Sequence, residues 1–119
     1  MHEHGMCEGL VDLVQQEAAG RRVTGVRVRI GAGHAVVPEA FGQAFALAAG
    51  GTAAQDAELD LVVVPFTLDC RGCGGRTESA DALAACPSCG GDVDVTGGDE
   101  LVLESIRLEG GADVSRHPR

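Results

Sequence analysis

A chain of 119 residues, 45% hydrophobic and with a formal net charge of −9, has the length of one ordinary domain or of a small domain carrying a still smaller module. No apolar run reaches the ~18 residues a membrane span needs, and no basic stretch followed by an apolar one marks a secretory signal, so a cytoplasmic protein is expected. The chain has nine arginines and no lysine, and an acidic balance of this size argues against a nucleic-acid partner.

The segment from Met6 to Ala19 places Cys7, Leu10, Val11, Val14 and Ala18 at helical spacing, with Glu8, Asp12, Gln15 and Gln16 mainly on the other side, which predicts an amphipathic helix stopped near Gly20. Val26, Val28 and Ile30 then alternate with Arg27 and Arg29, the pattern of a strand with one buried face and one solvated face. The glycine-rich GAGH at residues 31–34 lacks the lysine and hydroxyl of a phosphate loop and reads as a connection. Pro38 opens a second helix with Glu39 near its positive end, and Phe41, Ala44, Phe45 and Ala48 form its apolar stripe. A second strand carries Leu59, Leu61 and Val63 on one side and Val62 and Val64 on the other, with Pro65 at its end. A third strand spans about Glu100–Leu108, where the shift from Leu101 and Leu103 to Ile106 and Leu108 predicts a bulge or strong twist near Glu104 and Ser105.

This order describes a small α/β fold, a three-stranded sheet covered by two helices, with a four-cysteine zinc-ribbon lobe inserted between the second and third strands. The expected organisation is an α/β domain of residues 1–66 and 97–109, an inserted lobe of residues 67–96, and a mobile tail of residues 110–119, which has no periodicity.

The lobe holds two C-x-x-C pairs, Cys70 with Cys73 and Cys86 with Cys89, separated by twelve residues. In a reducing compartment such pairs read as metal ligands before disulfides. Each pair turns two thiolates toward one ion, the glycines behind it let the backbone curl round the sulfurs, and two turns complete a tetrahedral S4 set. Zn(II) suits that set, and an Fe–S4 site would use the same ligands. Four protein ligands leave no open position for water, so the site is structural or a relay, not catalytic. With only Leu68, Leu83, a few alanines, Val93 and Val95, the lobe lacks the apolar surface to fold alone, and the metal is expected to hold it together. Cys7 lies on the helix stripe and reads as a small buried hydrophobe.

The first four residues are MHEH. A His in second place opposes removal of the initiator, leaving the α-amine of Met1, whose reference pKa is ~7.7–8.0, at the chain end. The Met1 amine and the His2 amide close a five-membered ring on one ion, and the His2 amide and Nδ1 close a six-membered ring. Glu3, through its amide or carboxylate, or His4, through its imidazole, is available as a fourth donor. Such a nitrogen-rich tetragonal set favours Ni(II) or Cu(II), with affinity falling as the medium becomes acidic.

Met1-His2-Glu3, the strand RVTGVRVRIG from Arg22, VPEAFGQAF from Val37, the two cysteine pairs with their glycines, and GDELVLESIRLE from Gly98 together resemble the hydrogenase nickel-incorporation proteins of the HypA type, over residues 1–109. The resemblance implies a nickel metallochaperone with no catalytic activity. It would bind Ni(II) at Met1, His2 and Glu3 as transient cargo and deliver it to the large subunit of a [NiFe] hydrogenase, together with a HypB-type GTPase. Structural Zn(II) would sit on Cys70, Cys73, Cys86 and Cys89, and neither a nucleic acid nor a membrane is involved. His4 stands where the family generally has an apolar residue, as an added ligand or a solvated bystander, and His34 and His117 read as inert. The alternative of a different class is a zinc-ribbon adaptor that binds protein and ignores nickel. Electron transfer through Fe–S4 is disfavoured because Phe66 is the one aromatic residue near the cysteines.

Overall fold

A computed structural model describes residues 2–82, 85–111 and 113–115. The elements run α1 (His2–Ala18), β1 (Val23–Gly31), a 3-10 turn (Ala32–His34), α2 (Pro38–Ala49), β2 (Glu58–Val64), β3 (Phe66–Cys70), β4 (Arg76–Ser79), β5 (Val93–Thr96), β6 (Leu101–Leu108) and β7 (Asp113–Ser115). Residue contacts divide them into two compact units. One is Met1–Arg29, Val36–Val62 and Val102–Arg119, and the other is Ile30–Ala35 and Val63–Leu101. The expected lobe of residues 67–96 falls inside the second unit, which also takes in Ile30–Ala35.

In the first unit α1 and α2 pack on one another. Cys7, Leu10, Val11, Val14 and Ala18 of α1 are all buried, as their spacing predicts, and Phe41 and Phe45 of α2 join them. Burial of a side chain of this kind is worth ~1.5–3 kcal/mol, so this layer holds much of the unit's stability. α1 starts at His2, four residues before the predicted start at Met6, with Glu3 in the first turn where the helix dipole favours an acid. Pro38 takes the first turn of α2 as expected, where its missing N–H costs nothing.

The main sheet has the order β2-β1-β6-β7. The three predicted strands are present, and a fourth corrects the expected count: Asp113–Ser115, within the segment read as a mobile tail, pairs antiparallel with β6 in the register Ser105 to Ser115 and Arg107 to Asp113. A three-residue edge strand has too few positions to display an alternation. Ion pairs from Arg22 to Asp56 and from Arg27 to Asp60 advance in the same direction along β1 and β2, as in a parallel pair joined through α2. On the other side of β1, Glu109 N donates to the Arg22 carbonyl and Gly31 N to the Glu100 carbonyl, an antiparallel pairing with one offset at both ends. That offset sets Val23 opposite Leu108 and Val28 opposite Leu103. The face change predicted near Glu104 and Ser105 is therefore shared by β1, whose buried residues shift from Val23 and Gly25 to Val26, Val28 and Ile30. A shared twist, and not an extra residue in one strand, accounts for it.

Two further expectations change. Val63 is 47% exposed and does not share the face of Leu59 and Leu61, because the alternation of the edge strand β2 breaks at Leu61 and Val62, both half-buried. Arg27 and Arg29 are not simply solvated: Arg27 pairs with Asp60 and Glu104, and Arg29 with Glu104.

In the second unit β3 lies between β4 and β5, antiparallel to both. None of these short strands is evident from alternation, since β4 and β5 are largely exposed. Exposed ion pairs link the strands: Arg76 with Asp69 of β3 at 2.8 Å, and Arg71, just after β3, with Asp94 of β5 at 2.6 Å. The turn after β1 is fastened to the segment before β6 by Gly31 N to Glu100 O and Gly33 N to Gly98 O, both 2.7 Å, and by His34 Nε2 donating to the Asp99 carbonyl at 3.0 Å.

Candidate metal centre

The two C-x-x-C segments form matching turns. In the first, Cys70 N donates to the Gly75 carbonyl at 2.9 Å and Gly74 N to the Cys70 carbonyl at 3.1 Å; in the second, Cys86 N donates to Gly91 O and Gly90 N to Cys86 O, both at 2.8 Å. Gly74 and Gly90 have φ of 73° and 75°, the left-handed region that closes such a turn and that a side chain resists. β3 delivers Cys70 from its last position, opposite Val93, and the isolated bridge from Ala85 to Asp92 brackets the second turn.

All four sulfurs lie within 4.8 Å of one another. Cys70 Sγ is 3.4 Å from Cys89 Sγ, and Cys73 Sγ is 3.9 Å from Cys86 Sγ. Zn–S bonds of ~2.3 Å arranged tetrahedrally put sulfurs about 3.8 Å apart, so the cluster has the size of a one-ion site. Amides point at the sulfurs as well. Gly72 N and Cys73 N each donate to Cys70 Sγ at 3.3 Å, Ser88 N to Cys86 Sγ and Gly91 N to Cys89 Sγ at 3.4 Å. Donors of this kind offset the negative charge of an S4 set. Space is tight at the glycines that follow each turn: a Cβ on Gly75 would stand 3.3 Å from Cys73 Sγ, and one on Gly91 3.3 Å from Cys89 Sγ.

Thiols this close cannot all ionise alike. The Cys73 amide, helped by Cys89 and Gly72 and opposed by burial, draws the Cys70 thiol down to about 6. The amides of Cys89 and Ser88 lower that of Cys86. The Gly91 amide also favours the Cys89 thiolate, but Cys70, burial, Cys86 and Cys73 together outweigh it and push Cys89 up to about 11. The metal-free cluster thus retains protons near neutrality that an ion must displace.

Reasoning from sequence found the four cysteines and the glycines behind them, but not the ion pairs of Arg71 and Arg76 that fasten β5 and β4 to the first turn. The two charged pairs are separated by 23 and 7 residues, and spacing alone gives no signal for them.

The other expected ligands belong to the first unit. Met1 and the His2 side chain lie outside the described residues, as do Leu83 and His117. Glu3 is in the first turn of α1. His4 Nε2 lies 3.4 Å from Glu8 Oε2, one turn further along the helix. Cys7 is buried, its thiol donates to the Phe41 carbonyl at 3.6 Å, and burial, then the Glu3 charge, push it up to about 11. It behaves as the core residue that its position predicts. Among the described residues, the four-cysteine cluster is the one grouping suited to a metal ion.

The family model for hydrogenase/urease nickel incorporation, metallochaperone, hypA, matches residues 1–108. The chain is 38% identical over 113 residues to hydrogenase maturation factor HypA 2 of Bradyrhizobium diazoefficiens, with 92% of this chain and 100% of that one covered. It is 36% identical, with the same coverage, to hydrogenase maturation factor HypA of Rhodopseudomonas palustris strain BisB5. Among solved structures, the Ni metallochaperone HypA from Helicobacter pylori superposes with a TM-score of 0.59 at 26% identity, covering 89% of this chain and 96% of that one. A second HypA solution structure superposes with a TM-score of 0.63 at 28% identity, covering 91% and 96%.

Proposed function

This chain belongs to the HypA family of hydrogenase/urease nickel-incorporation metallochaperones, and from that premise we propose that it carries Ni(II) on Met1, His2 and Glu3 to the large subunit of a [NiFe] hydrogenase. In this reading Zn(II) on Cys70, Cys73, Cys86 and Cys89 is structural, a HypB-type GTPase takes part in the transfer, the work is done in the cytoplasm, and no catalytic step belongs to the chain. Among the described residues no helix is long and apolar enough to cross a membrane.

The observation that carries the nickel reading is the start of α1 at His2. The first four N–H groups of a helix have no partner within it, so no helix hydrogen bond holds the amide of His2. Chelation through a deprotonated His2 amide therefore breaks no helix hydrogen bond, and the negative charge it creates sits at the positive end of the helix dipole. Two further histidines among the described residues are otherwise engaged: His4 faces Glu8, and His34 is tied to Asp99. The zinc assignment is supported by the donor chemistry, four soft thiolates ringed by amide donors.

The test is a Ni(II) titration of zinc-loaded protein, comparing the native start with a version carrying one extra glycine before Met1. The extension leaves every side chain intact and moves the α-amine away from His2. Native protein is expected to bind one nickel and the extended protein to lose it. Because the chain has no lysine, an amine-selective reagent labels the α-amine alone, and nickel should protect it. Equal binding by both forms removes the α-amine from the site, and absence of binding in both leaves the zinc-ribbon adaptor.

A further inference from the structure

Five acids, Glu3, Glu8, Asp12, Glu17 and Glu39, lie on α1 and α2, and neither helix carries an arginine or lysine. Five arginines among the described residues are engaged elsewhere. Arg22, Arg27 and Arg29 pair with Asp56, Asp60 and Glu104 along the sheet, and Arg71 and Arg76 pair with Asp94 and Asp69 in the second unit. Among the described residues neither Glu8 nor Asp12 pairs with an arginine, so the helix layer keeps a negative field that no basic residue of its own offsets.

That layer is also grooved. An open groove of about 500 Å³ runs between the helices, with His4, Glu8, Asp12 and Gln15 along one wall, Val11 at its floor, and Leu47, Ala48 and Thr52 opposite. Leu47 is 75% exposed, the most exposed large apolar side chain among the described residues. The wall from position 4 to position 15 follows α1 for about 16 Å, three turns of a guest helix.

We infer that this groove docks a partner protein through a basic amphipathic helix, whose apolar stripe covers Leu47 while its arginines or lysines meet Glu8 and Asp12. Charge decides between occupants. A second copy would bring the same acidic face against itself, and an anionic lipid surface or nucleic acid is repelled in the same way. An apolar anchor flanked by acids that no arginine pairs suits a cationic helix laid in a groove. The groove begins at His4, two residues from the proposed cargo ligand His2, so a partner docked there lies along the route by which nickel enters or leaves. This deepens the delivery reading and rests on it.

The test is an amide-resolved NMR titration of the full zinc-loaded chain with three synthetic peptides, each long enough for ~5 helical turns. One has leucines on a single stripe flanked by arginines. A second has the same composition scrambled so that the stripe is lost, and a third keeps the stripe with glutamates as flanks. The striped basic peptide alone should shift Glu8, Asp12, Gln15, Leu47 and Thr52. The double variant Glu8→Arg, Asp12→Arg and the single variant Leu47→Asp should each weaken it by about tenfold or more, the scale for losing an interface anchor. All these positions are exposed, and a thermal melt confirms that the variants fold. Equal binding of the scrambled peptide reduces the effect to diffuse charge attraction and overturns the proposal, as do shifts elsewhere or no shifts at all. A nickel titration on the same samples separates the two readings: intact nickel binding without peptide binding rejects the groove alone, whereas absent nickel binding rejects the delivery reading itself.

Discussion

A methyl group at position 31 has no room. A Cβ built on Gly31 would stand 2.1 Å from the carbonyl carbon of Gly98, and one on Gly98, whose φ is 80°, would stand 2.6 Å from the Phe66 ring. The obstacle at Gly31 is backbone held by hydrogen bonds, so it cannot swing aside as a side chain end would. Gly31→Ala is expected to cost about 3 kcal/mol, the upper part of the usual range for overpacking. Gly9, in the middle of α1 with nothing within 4 Å of its would-be Cβ, is the opposite case. Gly9→Ala should stabilise by ~0.5–1 kcal/mol through helix propensity alone. Calorimetry of the two variants should move Tm in opposite directions; a Gly31→Ala protein that melts with the wild type would refute the close contact. Sequence gave notice of the glycines but not of their purpose, since Gly31 and Gly98 belong to segments separated by the whole cysteine region.

At the scale of elements, periodicity was informative where an element has a dry side and silent where it does not. Both helices and β1 were legible because Cys7, Val14, Val28 and Phe41 recur on one face and are fully buried. β4 and β5 were not, because their burial patterns carry no fully buried position and their places are set by β3, the cysteine turns and the ion pairs of Arg71 and Arg76. Those turns have a pH dependence whose sign follows from their thiols. Metal binds the thiolates, Cys70 is drawn down to about 6, and Cys89 is pushed up to about 11. Loading therefore expels protons, and zinc affinity should fall as pH falls. A competition titration at pH 8 and at pH 6 should differ by about tenfold or more, and equal affinities would mean that the thiols are already deprotonated without metal. Arg71 acts in the same sense at lower pH. Its hydrogen bond, then its charge, hold the Asp94 carboxyl below the ordinary range, so the pair's small contribution is present at neutral pH and is lost as acid protonates Asp94.

At the scale of the whole molecule, the two units hold together by different means. The first has the Phe41 and Val14 core; the large apolar and cysteine residues that the second buries are Ile30, Leu68, Cys70 and Cys86, among the described residues. Removing the metal with a strong chelator should raise amide hydrogen exchange in residues 70–82 and 85–90 while α1 and α2 keep their protection. Unchanged exchange in the cysteine turns after complete metal removal would show that the strands suffice. The fold class, the cysteine cluster and the family were legible from residue order, whereas the contribution of Ile30–Ala35 to the second unit depends on packing between segments far apart in sequence. The likeness of the two cysteine turns carries one last consequence. An ion held by one turn needs a second turn, and the turn of a neighbouring chain is chemically as good as its own. What favours the chain's own turn is effective concentration: β3, paired to β4 and β5, keeps the second turn within angstroms, far above any concentration at which free chains meet. The antiparallel register around Leu68 is thus what keeps metal loading within one molecule and prevents it from stitching chains together.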